Sequence, residues 1–220
     1  VNRFGLSRDV PVVAAHTAMI VIDVQNYTME RGAAHAGLVP DEVARRSGYF
    51  FERMRGVALP NIARLLTAAR GAGVEVLYTV MASHRLDGRD LSLDYKISGI
   101  FCHKDSWDAQ VMDEVAPVGD EIVLPKTSSS VFVSTNLHYL LGNMGVRQLI
   151  VAGALTDQCV DSAVRDACDL GYLVSVAVDA CATQSQARHE ASLANNAGYC
   201  RQVTTAVLLA EMGAGDSKAA

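Results

Sequence analysis

The sequence predicts an α/β fold, a mainly parallel sheet flanked on both faces by helices. Short apolar runs alternate along the chain with segments of helical periodicity. The first run, Ala18 to Ile22, is continuous, without interleaved polar residues, as in a strand buried on both faces. Asp23, Lys126 and Cys159 each stand at or just beyond the end of such a run. That edge is where an open α/β sheet places its ligands.

Residues 1–16 carry no periodic pattern and read as an arm across the surface. Ala18 to Asp23 is the first strand, an apolar run closed by an acid. Gly32, Gly37, Pro40 and Gly48 punctuate residues 26–56. Within them Asp41 to Met54 reads as a helix with Asp41 as its cap. Tyr49, Phe50 and Phe51 form an aromatic cluster that serves core packing, a pocket or an oligomer contact. Asn61 to Ala72 has apolar residues at 62, 65, 66 and 69, the spacing of an amphipathic helix, and Gly71 and Gly73 stop it. Val74 to Met81 is the second strand.

A long connection, 82–107, follows, and a connection of that length is usually functional or mobile. Ser106 to Ala109 opens a short helix, capped by Ser106 or Asp105. Glu121 to Pro125 is the third strand, where Pro125 fits only at the end, and Lys126 comes next. Ser134 or Thr135 opens a helix through Leu141. Val146 to Ala152 is the fourth strand, Val160 to Gly171 a helix, and Leu173 to Val178 the fifth strand. Gln186 to Ala197 is a helix, and a short strand lies near Gln202 to Thr204. No repeat or linker divides the chain, so one domain over 1–220 is expected, with a disordered tail over 213–220.

The hub is Gly153 to Val160, where a strand ends, the chain turns, and Cys159 precedes a helix. Free N–H groups and the helix dipole at such a place lower a thiol pKa. The same N–H groups can receive an oxyanion. Cys159 is a candidate nucleophile; the alternative is a small residue packed under a helix start. Asp23 can take a thiol proton and return it to a leaving nitrogen, or it is a turn acid. Lys126 can favour carboxylate and thiolate, or it is a solvated lysine after a strand. Their coincidence at one edge favours the chemical reading.

Half of the residues are hydrophobic, which suffices for a substantial core. The net charge is −5 and no basic tract occurs, so neither nucleic acid nor an anionic membrane is expected as a partner. No apolar run reaches the roughly 18 residues of a membrane span. Five cysteines without a CxxC pair or a secretory segment read as reduced thiols of a cytoplasmic protein.

Three motifs resemble those of the isochorismatase-like cysteine hydrolases: Val21 to Gln25, Leu124 to Lys126, and Gly153 to Val160. They occur in the family's order. The resemblance implies a six-stranded, three-layer α/β/α fold of strand order 3-2-1-4-5-6. It implies Asp23, Lys126 and Cys159 as catalytic residues, a cis peptide between Ala154 and Leu155, and an oxyanion hole of the Leu155 and Cys159 N–H groups. The activity implied is hydrolysis of a C–N bond in a small amide, ureido or carbamoyl compound through a thioester. A homo-oligomer (dimer or tetramer) is expected.

Lys104 to Ala109 and Ile122 to Lys126 resemble the ureidoacrylate amidohydrolases, although Thr127 to Val131 replaces a bulkier, more basic run. A nicotinamidase would carry an Asp-x-His metal element; His84 stands without one, so no metal and no other cofactor is expected. Isochorismatases proper usually lack the cysteine. A redox-sensing thiol protein is the alternative of another class, but it needs neither Asp23 nor Lys126. Asn26, Tyr27, Tyr95 and Phe132 are candidates for the substrate pocket.

Overall fold

The computed structural model describes residues 3–29 and 31–213. Six strands form one all-parallel sheet: β1 (Thr17–Ile22), β2 (Glu75–Met81), β3 (Ile122–Lys126), β4 (Gln148–Ala154), β5 (Leu173–Ala182) and β6 (Arg201–Val203). Their order is β3-β2-β1-β4-β5-β6. The order reverses between β1 and β4, so a crevice opens at their carboxyl ends. All six residues of β1 are buried, in keeping with a strand covered on both faces. β3 lies at the sheet's edge, and there Pro125 costs no ladder bond on the open side.

The helices are α1 (Pro40–Arg53), α2 (Leu59–Ala72), α3 (Leu93–Ile97), α4 (Val131–Ser134), α5 (Leu137–Asn143), α6 (Asp161–Asp169), α7 (Gln186–Asn196) and α8 (Thr205–Gly213). α2 packs on β1, β2 and β5, with α8 beside it; α6 packs on β5, α4 and α7. Pro40, not Asp41, begins α1, because its fixed φ suits the first helical position. Asp41 and Glu42 fall in the first turn, where the helix dipole favours acids. A π turn, Met54–Ala58, runs α1 into α2, so α2 starts two residues before Asn61. Gly73, in the left-handed conformation at φ 71°, ends it; Gly71 lies inside the helix.

The helix expected from Ser134 or Thr135 is split. Ser130 Oγ accepts from Val133 N and caps α4, and α5 starts only at Leu137. Ser106 caps nothing by side chain; its Oγ donates to the His103 carbonyl. β5 runs four residues past Val178, and α8 was not expected. The N-terminal arm is irregular and meets Arg201 through Asp9 and Val10. Of the expected tail, Gly213 closes α8, and 214–220 lie outside the described residues.

Candidate active site

Three strand ends deliver the three reactive side chains. Asp23 follows β1 with φ 53°, a left-handed conformation that Asp tolerates better than most residues. Its N–H donates to the Thr79 carbonyl at 3.0 Å, and Thr79 Oγ1 donates to Asp23 Oδ1 at 2.7 Å. Lys126 is the last residue of β3 and is 0% exposed. Its Nζ lies 2.9 Å from Asp23 Oδ2 and donates at 2.9 Å to the Tyr95 hydroxyl and to the Ser128 carbonyl. Cys159 lies in a π turn, Thr156–Val160, that separates β4 from α6, with Sγ 3.3 Å from Lys126 Nζ.

Glycine is required just before this turn. A Cβ at Gly153, whose φ is 125°, would stand 2.1 Å from the Ile22 carbonyl oxygen. The bare backbone lets β4 approach the end of β1, and so brings Cys159 to Asp23. The Ala154–Leu155 peptide is cis. The turn is braced from α7. His189 Nδ1 meets Thr156 Oγ1 at 2.9 Å, Ser192 Oγ donates to the Thr156 carbonyl, and Arg188 pairs with Asp157.

The electrostatics correct one expectation. The Cys159 thiol is pushed up to about 12, not down. Burial is the largest cause and the Asp23 carboxylate the next; Lys126 offsets only part. The resting group is therefore a thiol, with Asp23 beside it. Burial works against the Lys126 ammonium, but the Asp23 carboxylate beside it holds it charged well above the usual lysine range.

Asp23, Leu155 and Cys159 open on a cavity of about 430 Å³, within the usual span for small-molecule sites. Tyr27, Met81 and Gln184 line it as well. Of the four pocket candidates, only Tyr27 is on this wall. Asn26 turns away, its Nδ2 donating to the Trp107 carbonyl, because residues 26–28 form a turn braced against 107–109. Phe132 stacks on Tyr172, 6.0 Å between centroids, since α4 turns it toward α6 and β5. Tyr95 is 1% exposed and packs against Lys126 and Cys159, off the cavity wall. Gln184, just past β5, was not anticipated; a glutamine in a polar loop carries no signal. His84 is exposed, and its N–H donates to Asp90.

A parallel sheet with a buried cysteine, lysine and aspartate at its carboxyl edge defines an α/β cysteine hydrolase. The chain belongs to the isochorismatase family, whose domain model matches residues 17–207. A ureidoacrylate amidohydrolase of Rhizobium rhizogenes is 31% identical over 76% of this chain and 70% of its own. A cysteine hydrolase of Pseudomonas syringae pv. phaseolicola superposes with a TM-score of 0.79 at 25% identity, covering 93% of this chain and 96% of that one. An isochorismatase family protein of Desulfovibrio vulgaris superposes at 0.73 with 30% identity, over 88% and 96% of the two chains.

Proposed function

We propose that this protein hydrolyses a C–N bond in a small amide, ureido or carbamoyl compound, with Cys159 as nucleophile. The observation that carries the reading is the contact of Cys159 Sγ with Lys126 Nζ, itself paired with Asp23, behind a cavity that Cys159 and Asp23 line. Asp23 takes the thiol proton, and the thiolate attacks the carbonyl carbon. Leu155 and Cys159, both on the wall, offer their N–H groups to the oxyanion. The C–N bond breaks as Asp23 returns the proton to the leaving nitrogen. Water, deprotonated by Asp23, then attacks the thioester; the C–S bond breaks, the acid is freed, and Asp23 returns the proton to the Cys159 sulfur. Lys126 keeps the total charge of this exchange near zero throughout. The ureido or carbamoyl form of the substrate is supported by the name of the Rhizobium relative.

The test is release of ammonia or amine from a panel of small ureides, N-carbamoyl compounds and carboxamides, for the wild-type protein and Cys159→Ser. Turnover in the first and none in the second is expected, since a serine hydroxyl at neutral pH is far less ionised than a thiol. Undiminished turnover in Cys159→Ser would sink the mechanism.

A further inference from the structure

Tyr95 sits on α3, a five-residue helix with two solvent-facing apolar side chains and one buried tyrosine. The helix is held against the end of β3. Ser92 N donates to the Thr127 carbonyl at 2.8 Å, and Ser92 Oγ accepts from Tyr95 N at 3.2 Å. The phenol is thereby fixed between Lys126 and Cys159, 2.9 Å from Nζ and 3.8 Å from Sγ.

The direction of each bond follows from the donors available. An ammonium has only hydrogens to give, so the Tyr95 oxygen accepts from Lys126. The phenol keeps its own hydrogen, and the partner within reach is Cys159 Sγ. The thiol proton is directed at Asp23, which leaves the sulfur lone pairs free to accept. Burial raises the phenol well above the ordinary tyrosine range, so it stays a donor at any working pH.

We propose that Tyr95 is a thiolate-stabilising residue whose O–H donates to Cys159 Sγ once Asp23 has taken the thiol proton. The assignment rests on Cys159 being the nucleophile. No proton leaves Tyr95: the S–H bond breaks, an O–H bond forms on Asp23, and the phenol hydrogen bond shortens onto the new anion. A bond of 3.8 Å in the resting state is loose, as catalytic hydrogen bonds often are before the charge develops. Three groups then face the thiolate: Asp23 from β1, Lys126 from β3, and Tyr95 from α3.

The experiment is the pH profile of iodoacetamide labelling at Cys159, followed by mass spectrometry, in a Cys168→Ser background. Tyr95→Phe keeps the ring and removes the donor. Its profile is expected to move up by about one pH unit, and kcat to fall about ten-fold or more with KM unchanged, the scale of one hydrogen bond to a charged group. Replacing Tyr95 with 3,5-difluorotyrosine, a stronger donor of nearly the same shape, is expected to move the profile down. That second variant keeps the test decisive if Tyr95→Phe folds poorly. Profiles that do not move in opposite directions overturn the assignment. The nucleophile has its own readout in Cys159→Ser: lost turnover there with unmoved labelling profiles removes Tyr95 and leaves Cys159 standing. Retained turnover in Cys159→Ser removes the nucleophile, while the labelling shift still reports the O–H···S bond.

Discussion

Asp23 and Lys126 pull the Cys159 thiol in opposite directions: the carboxylate raises its pKa and the ammonium lowers it. The two therefore separate by substitution. Asp23→Asn removes the negative neighbour, so alkylation of Cys159 should begin at lower pH. The same change removes the proton carrier, so turnover should fall by roughly 10²-fold or more, the usual scale for a general acid–base group. Lys126→Met should delay alkylation to higher pH and lower turnover as well. Parallel pH profiles of labelling and of product release check both. If Lys126→Met leaves both profiles where they were, Lys126 is only the lysine that ends β3. The labelling is read in Cys168→Ser protein because Cys168 is half-buried, whereas Cys102, Cys181 and Cys200 are buried and shifted upward.

Between α1, α7 and the Cys159 turn lies a second buried group. The Arg53 guanidinium has only donors, so it donates to His189 Nε2 at 2.9 Å. Nδ1 then carries the hydrogen and donates to Thr156 Oγ1. The imidazole is neutral, and burial, then Arg53, push its pKa from 6.5 down to about 4. The unfolded chain binds this proton below pH 6.5 and the folded one does not, so stability falls with pH from 6.5 to 4. The loss reaches about 3 kcal/mol at the lower limit. Denaturant unfolding of wild type and His189→Gln at several pH values measures it. The difference between the two proteins should shrink steadily over that window, and a constant difference would refute the assignment.

Elements whose burial follows one period were legible in the sequence. β1 and most of β4 are continuous apolar runs, β2 is apolar but for Glu75 and Thr79, α2 has its stripe, and Asp23, Lys126 and Cys159 were found because each ends or follows such a strand. α3 left no pattern, since Leu93 and Ile97 face solvent at 74% and 77% exposure and only Tyr95 turns inward. α8 was missed because Thr205 to Gly213 is apolar nearly all round and offers no polar face. The thiol shift could not be read from the chain: local position suggested a helix-start thiol, and the depth of burial beside Asp23 is a tertiary fact.

Across the whole molecule, the sheet gathers residues far apart in sequence at a single edge, with the reversal of strand order between β1 and β4 leaving room for the cavity. The walls come from the two long connections. Residues 25–29 and Ala33 brace residues 101–111 through the Gln25–Val111 bridge, the Ala33 N–H on Asp108, and the Phe101 N–H on the Tyr27 hydroxyl. Substrate preference can therefore vary with these connections while the proposed chemistry stays at the strand ends.

The burial of the Asp23–Lys126 pair has a consequence for ionic strength. Counterions cannot reach an ammonium of 0% exposure, while exposed charges at the surface are open to screening. Salt should thus act on the approach of substrate and leave the chemical step alone. For an uncharged ureide, kcat and kcat/KM should both stay level between about 0.05 M and about 1 M sodium chloride. For an anionic one kcat/KM alone should rise, as added ions mask the repulsion between substrate and protein. The slope of kcat/KM against salt would then read the charge of whatever compound this site turns over, including one found by screening before its structure is known.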